Sequence, residues 1–132
     1  MGLKGSGKTK RLVDMVCEAV NSADGDVVVL EKERKLTYDI PYQARLVEAG
    51  SYGIGTYDFM KGLICGLHSG NYDITHIFID NFYKIVNDKN QESFTAFIMW
   101  LNKLSADENI EFVISVSAEV DMLDECVKQF VI

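Results

Sequence analysis

Eight residues near the start of the chain, Gly2 to Thr9, read G-L-K-G-S-G-K-T. The pattern G-x-x-x-x-G-K-T is that of a phosphate-binding loop. Gly5 and Gly7 permit the positive-φ turns that aim consecutive backbone N–H groups inward. Those groups, with a helix N-terminus behind them, favour a polyphosphate. Gly2, Gly5, Ser6, Gly7 and Lys8 are therefore the candidate phosphate ligands. In such loops the lysine reaches the β- and γ-phosphates and the Thr hydroxyl, here Thr9, goes to Mg2+. A chance glycine-rich turn is the plainer reading. Against it stand the complete pattern and the amphipathic helix that follows at once.

A second carboxylate-bearing element is "THIFID", Thr75 to Asp80. An apolar run ending in Asp resembles a Walker B strand, whose carboxylate holds the Mg2+ shell. Asn81 follows it, where many ATPases place a Glu to orient the attacking water, so fast hydrolysis is not expected. Glu31 ends "DVVVLE" and can face the same site as a substitute; the plainer reading is a solvated strand-end carboxylate beside Lys32. Ser115 and Ser117 can contact the γ-phosphate but read more simply as strand-end hydroxyls. His68 and His76 have no ligand-spaced neighbours and read as structural or surface residues. The arginines are Arg11, Arg34 and Arg45. Small-molecule kinases of this kind clamp phosphates with several Arg from a lid, and no such lid is visible.

These residues need elements to position them. Leu12, Met15, Val16, Ala19 and Val20 share one helical face between Lys8 and Asn21, and "SADGD" ends that helix. "DVVVLE", Asp26 to Glu31, has the continuous β-branched character of a buried parallel strand. A short strand is expected around Ala44 to Val47, and a helix from Tyr57 to His68 capped by Thr56. Gly62 and Gly66, four apart, would let that helix approach a sheet closely. "THIFID" is the next strand. Gln91 to Leu104 is an amphipathic helix with Phe94, Phe97, Ile98, Leu101 and Leu104 on one face and Trp100 packed nearby. "EFVISVS", Glu111 to Ser117, is a further strand, Glu119 to Lys128 a short helix, and "QFVI" an edge strand. Such alternation means a parallel sheet with helices on both faces. The ligand of such a sheet sits at the strands' carboxyl ends.

Composition sets the outer bounds. The chain has 132 residues, 48% of them hydrophobic, which suits one domain over residues 1–132 with a real core. The net charge of −7 argues against general nucleic-acid binding. It does not oppose nucleotides, which the loop holds by local N–H groups. The three cysteines, Cys17, Cys65 and Cys126, form no CxxC and read as reduced, mostly buried thiols of a cytoplasmic protein. No apolar run approaches the ~18 residues of a membrane span, and no signal peptide is visible. "MGLKGS" fits an acylation pattern, but a lipid there would obstruct the loop.

The loop, "DVVVLEKERKLTYDI", "ARLVEAGSYGI", "NYDITHIFID" and "VSAE" together resemble a clostridial-type family of small P-loop ATP-binding proteins, often labelled twitching-motility ATPases. The resemblance covers nearly the whole chain and implies ATP binding and little beyond it. The motility label does not fit: such ATPases are larger, with an added N-terminal domain and acidic and histidine boxes. The thymidine kinases differ by their zinc cysteines. The partitioning-type ATPases differ by a lysine directly after the first Gly, where this chain has Leu3 and only then Lys4. Similar family members carry an apolar strand before the loop, and here only Met1 precedes it. Losing ~5 residues of a central strand would remove ladder hydrogen bonds and core. A late start or a shortened chain of low stability is the expectation, with a degenerate or partner-complemented domain as the alternative.

The expected fold is thus a P-loop NTPase-like three-layer α/β/α domain with a mainly parallel sheet and its first central strand missing or truncated. The expected function is Mg·ATP binding with slow ATPase or switch behaviour. Lys8 and Glu31 would serve catalysis, and Thr9 and Asp80 the metal. A small-molecule phosphotransferase with its acceptor site in Lys32 to Gly55, or a partner-dependent interaction module, are the alternatives. ATP is favoured over GTP because no N-K-x-D motif is present; "NDKN" at Asn87 to Asn90 only shares its composition. A protein partner or homo-oligomer stays open.

Overall fold

The computed structural model describes residues 8–22, 25–32, 39–41, 43–53 and 55–116, with backbone alone at residues 8, 9, 51 and 52. In chain order the elements are α1 (Lys8–Ser22), β1 (Asp26–Glu31), β2 (Arg45–Glu48), a 3-10 turn (Ala49–Tyr52), α2 (Tyr57–Gly70), β3 (Ile74–Ile79), α3 (Phe82–Ile85), α4 (Gln91–Glu108) and β4 (Glu111–Ile114). The four strands form one sheet in the order β2-β1-β3-β4. Every pairing is parallel. The fold is therefore α/β with helices on both faces of a parallel sheet. No helix among the described residues is long and apolar enough to cross a membrane.

Alternation along the strands divides the core into two layers. Val28, Leu30, Ile77, Ile79, Phe112 and Ile114 face α2, α3 and α4. Val27, Val29, Phe78 and the half-buried Val113 face α1, together with Ile40 and Ala44. Handedness explains the division. The β2-to-β3 and β3-to-β4 connections advance across the sheet in one direction, so right-handed crossovers put α2 and α4 on the same face. The β1-to-β2 connection runs the other way. Of that connection, Ile40 and Ala44 are found on the opposite face, beside α1.

Local chemistry sets the element ends. Thr56 caps α2, its hydroxyl accepting from Phe59 N–H at 3.1 Å. Asn90 caps α4 by accepting from Ser93 N–H at 2.9 Å. Gly25 must lack a side chain, because a Cβ there would run into the Asp73 carbonyl oxygen. That same carbonyl accepts from Asp26 N–H at 2.8 Å and starts β1 beside β3.

Four sequence expectations need correction. Gly62 and Gly66 do not bring α2 close to the sheet: a Cβ on either would meet only open space. The buried face of α2 is instead that of Met60 and Ile64. β2 lies one residue later than expected. The last strand ends at Ile114, not Ser117. The thiols are not mostly buried, since Cys65 is exposed and Cys17 half-buried. The helix expected over Glu119 to Lys128 and the strand "QFVI" lie outside the described residues.

The larger core layer centres on Phe82, which is fully buried. Its ring centroid lies 5.3 Å from those of Phe94 and Phe97, 5.6 Å from Tyr83 and 5.8 Å from Tyr57. Trp100 extends the stack from Phe97 at 6.0 Å. Tyr57 donates its hydroxyl to the Asp88 carbonyl at 3.0 Å. Burial, then Tyr83 and Asp88, raise the Tyr57 pKa above its ordinary 10.0. Burial and then Asp88 raise that of Tyr83 as well.

Phe82→Ala should lower the unfolding free energy by about 3–5 kcal/mol in urea titrations, because the side chain is fully buried among the rings of Tyr57, Tyr83, Phe94 and Phe97. Gly62→Ala and Gly66→Ala should each raise it by about 0.5–1 kcal/mol, since both replace a helical Gly facing open space. The raised tyrosine pKa values mean that the native state keeps protons which the unfolded chain releases. Their contribution is intact below the ordinary pKa of 10.0 and is lost as pH rises beyond it. Unfolding midpoints should therefore fall above that pH, and Tyr57→Phe should make the fall shallower.

Candidate functional site

The carboxyl ends of the strands are level with one another. Glu31 and Glu48 are paired in the β1–β2 register. Leu30 pairs with Ile79 and Ile79 with Ile114. One residue further on, the ladder continues: Asp80 N–H donates to the Leu30 carbonyl at 2.9 Å, and Ser115 N–H donates to the Ile79 carbonyl at 2.9 Å. Glu48, Glu31, Asp80 and Ser115 thus form a row across four adjacent strands, about 4.8 Å from one strand to the next.

Strand parity aims this row at one face. Glu31 follows Val27 and Val29, Asp80 follows Phe78, and Ser115 follows Val113; these neighbours pack in the α1 layer. The three are also deeply buried, with Glu31 5%, Asp80 2% and Ser115 0% exposed. Buried carboxylates are costly unless partnered, and neither Glu31 nor Asp80 is unpartnered. The solvated reading of Glu31 therefore fails. A four-residue apolar run before Glu31 seats it among buried strands rather than at a wet edge.

α1 presents its amino end to the same region. It finishes at Ser22, shortly before β1 begins at Asp26. A helix that ends where the next strand starts runs antiparallel to that strand. Its last turns border the amino-terminal half of the β3–β4 pair, where Met15, Ala19 and Ser22 line a small cleft with His76 and Glu111. Lys8 and Thr9, its first residues, therefore begin at the carboxyl end of the sheet, on the α1 face. Their side chains lie outside the described residues, as do Gly2, Gly5, Ser6 and Gly7.

The turn after β3 was not legible as a functional feature. Asn81 adopts a left-handed backbone with φ 50° and ψ 61°. Its side-chain amide donates to Asp80 Oδ2 at 3.2 Å. Its N–H donates to Ser115 Oγ at 3.3 Å. The available signal was the dipeptide Asp-Asn directly after an apolar strand, since Asn is enriched in the left-handed region.

Other candidates lie elsewhere. His68 Nε2 meets Glu108 Oε2 at 3.1 Å and His76 Nε2 meets Glu111 Oε2 at 2.8 Å. Both glutamates flank the turn between α4 and β4, so the histidines tie down packing. Among the described residues no group of His, Cys, Asp and Glu has the geometry of a metal cluster by itself. A cleft of about 400 Å³ between Asp26, Arg45, Leu67 and Asn71 lies at the amino ends of the strands, away from the carboxylates. Searches against family models, curated proteins and solved structures find no match to the chain.

Proposed function

We propose that the protein binds Mg·ATP through a P-loop and acts as a slow ATPase or nucleotide-dependent switch. One observation supports this reading above the rest. The G-x-x-x-x-G-K-T sequence runs directly into α1, and α1 starts at the end of the sheet where Asp80 and Glu31 are buried on its own face.

Each role follows from residue chemistry. Gly2, Gly5, Ser6, Gly7 and Lys8 would hold the phosphates, the lysine as a point charge. Thr9 and Asp80 would hold Mg2+, and they suit it: a hydroxyl and a carboxylate are the hard oxygen donors that magnesium takes. The bound ion would supply charge neutralisation on the phosphates. Glu31, one strand away from Asp80 and on the same face, would orient a water for in-line attack. Asn81 is no base, so turnover would be slow. The adenine base is favoured over guanine by the lack of an N-K-x-D motif in the sequence.

Thermal unfolding with nucleotide tests this directly. Mg·ATP at about 100-fold its Kd should add about 2.7 kcal/mol of stability to the chain. Lys8→Ala should abolish that gain, and Asp80→Asn should remove its dependence on Mg2+. Glu31→Gln should keep the stabilisation while lowering phosphate release. An undiminished gain in Lys8→Ala would refute the reading.

A further inference from the structure

Resting on the nucleotide reading above, we infer that Asn81 is a positioning residue for the cation site: its amide orients the Asp80 carboxylate, and its left-handed backbone disfavours a Glu at position 81. An ionised carboxylate can only accept hydrogen bonds. The Asn81 amide supplies a donor at 3.2 Å from Asp80 Oδ2. The terminal torsion of an Asp side chain is broad and roughly two-fold. A donor held against one oxygen selects one orientation of the group.

The donor itself is held by backbone. Asn81 N–H is tied to Ser115 Oγ at 3.3 Å. The Asn81 carbonyl accepts from Lys84 N–H at 2.9 Å, and Phe82 N–H donates to the Ser115 carbonyl at 2.9 Å. Phe82 is wholly buried in the ring cluster. The peptide on each side of Asn81 is therefore fixed, and its φ of 50° cannot relax without moving Phe82 or β4. Residues other than Gly, Asn and Asp enter that conformation at a cost of roughly 1–2 kcal/mol. A Glu at this position would incur that cost and lose the donor facing Asp80. With Asn81 itself no base, the nearest carboxylate in the row is Glu31, on the neighbouring strand β1.

Removing the partner of a ligating carboxylate commonly weakens metal affinity by about 10–100-fold. Asn81→Gly is the informative variant, because Gly accepts the left-handed conformation and lacks the amide. The measurement is a titration with a fluorescent ATP analogue over a series of Mg2+ concentrations, beside the unfolding midpoint without ligand. The expected result is a rise of about tenfold in half-saturating Mg2+, with an unfolding midpoint unchanged or raised. In an Asp80→Asn background, Asn81→Gly should change nucleotide affinity no further. A half-saturating Mg2+ equal to that of the unaltered chain would overturn the inference while leaving the nucleotide reading intact. So would a loss that persists in the Asp80→Asn background. If the unaltered chain binds no analogue at any Mg2+ concentration, the nucleotide reading falls and this inference with it.

Discussion

Two backbone hydrogen bonds, Asp80 N–H to Leu30 C=O and Ser115 N–H to Ile79 C=O, carry the sheet ladder one step past β3 and β4. That step holds the N–H groups of Asp80 and Ser115 in the ladder, with the chain bending at Asp80. Strand parity then persists, and both side chains fall on the α1 face with Glu31. Had either strand turned one residue sooner, its polar residue would have left the row. A one-residue change of register in a strand moves every side chain to the other face. The carboxyl-end row therefore depends on the register of four strands at once.

Burying those groups has a cost that the surrounding structure must offset. Glu31 and Glu48 are register partners on adjacent strands, and like charges directly opposite destabilise a sheet. Asp80 stands next in the row. The chain as a whole carries −7, so its field adds to the repulsion. None of the three carboxylates is without a partner, and apolar packing lies directly behind the row. Phe82 follows Asn81 immediately, and its ring sits among Tyr57, Tyr83, Phe94 and Phe97. The polar turn and the ring cluster of the core thus meet in two consecutive residues, Asn81 and Phe82.

The parts legible in the sequence were those written in periodicity. β1 has the bounds Asp26 to Glu31 that its β-branched run implies, and α1 buries Leu12, Val16 and Ala19 as the helical spacing requires. Thr56 caps α2 where a hydroxyl precedes an apolar helix. That Val29 and Phe78 share a layer, which puts Glu31 and Asp80 on one face, came from the structure. What escaped was set by tertiary context. Gly62 and Gly66 match a close-packing spacing, but α2 turns its Met60 and Ile64 side to the sheet. Strand order was not in the pattern either. The pairing of β1 with β3 rather than a simple succession puts Glu31 beside Asp80. α3 is a single turn, too short for any periodicity to declare it.

On the proposed reading, the same geometry separates holding a cation from activating a water. A carboxylate that holds a cation gains from rigidity, and Asp80 would have it: the strand ladder on one side, the Asn81 amide on the other. A general base must instead reach the proton it accepts in the substrate pose. Position 81 cannot serve both ends, because its backbone is bound to Ser115 and its side chain to Asp80. Glu31 is on the correct face but one strand removed, and it is 5% exposed. On the proposed reading this favours binding over turnover. Switch behaviour, in which the nucleotide is retained and its state is read by a partner, follows more readily from such a site than rapid hydrolysis.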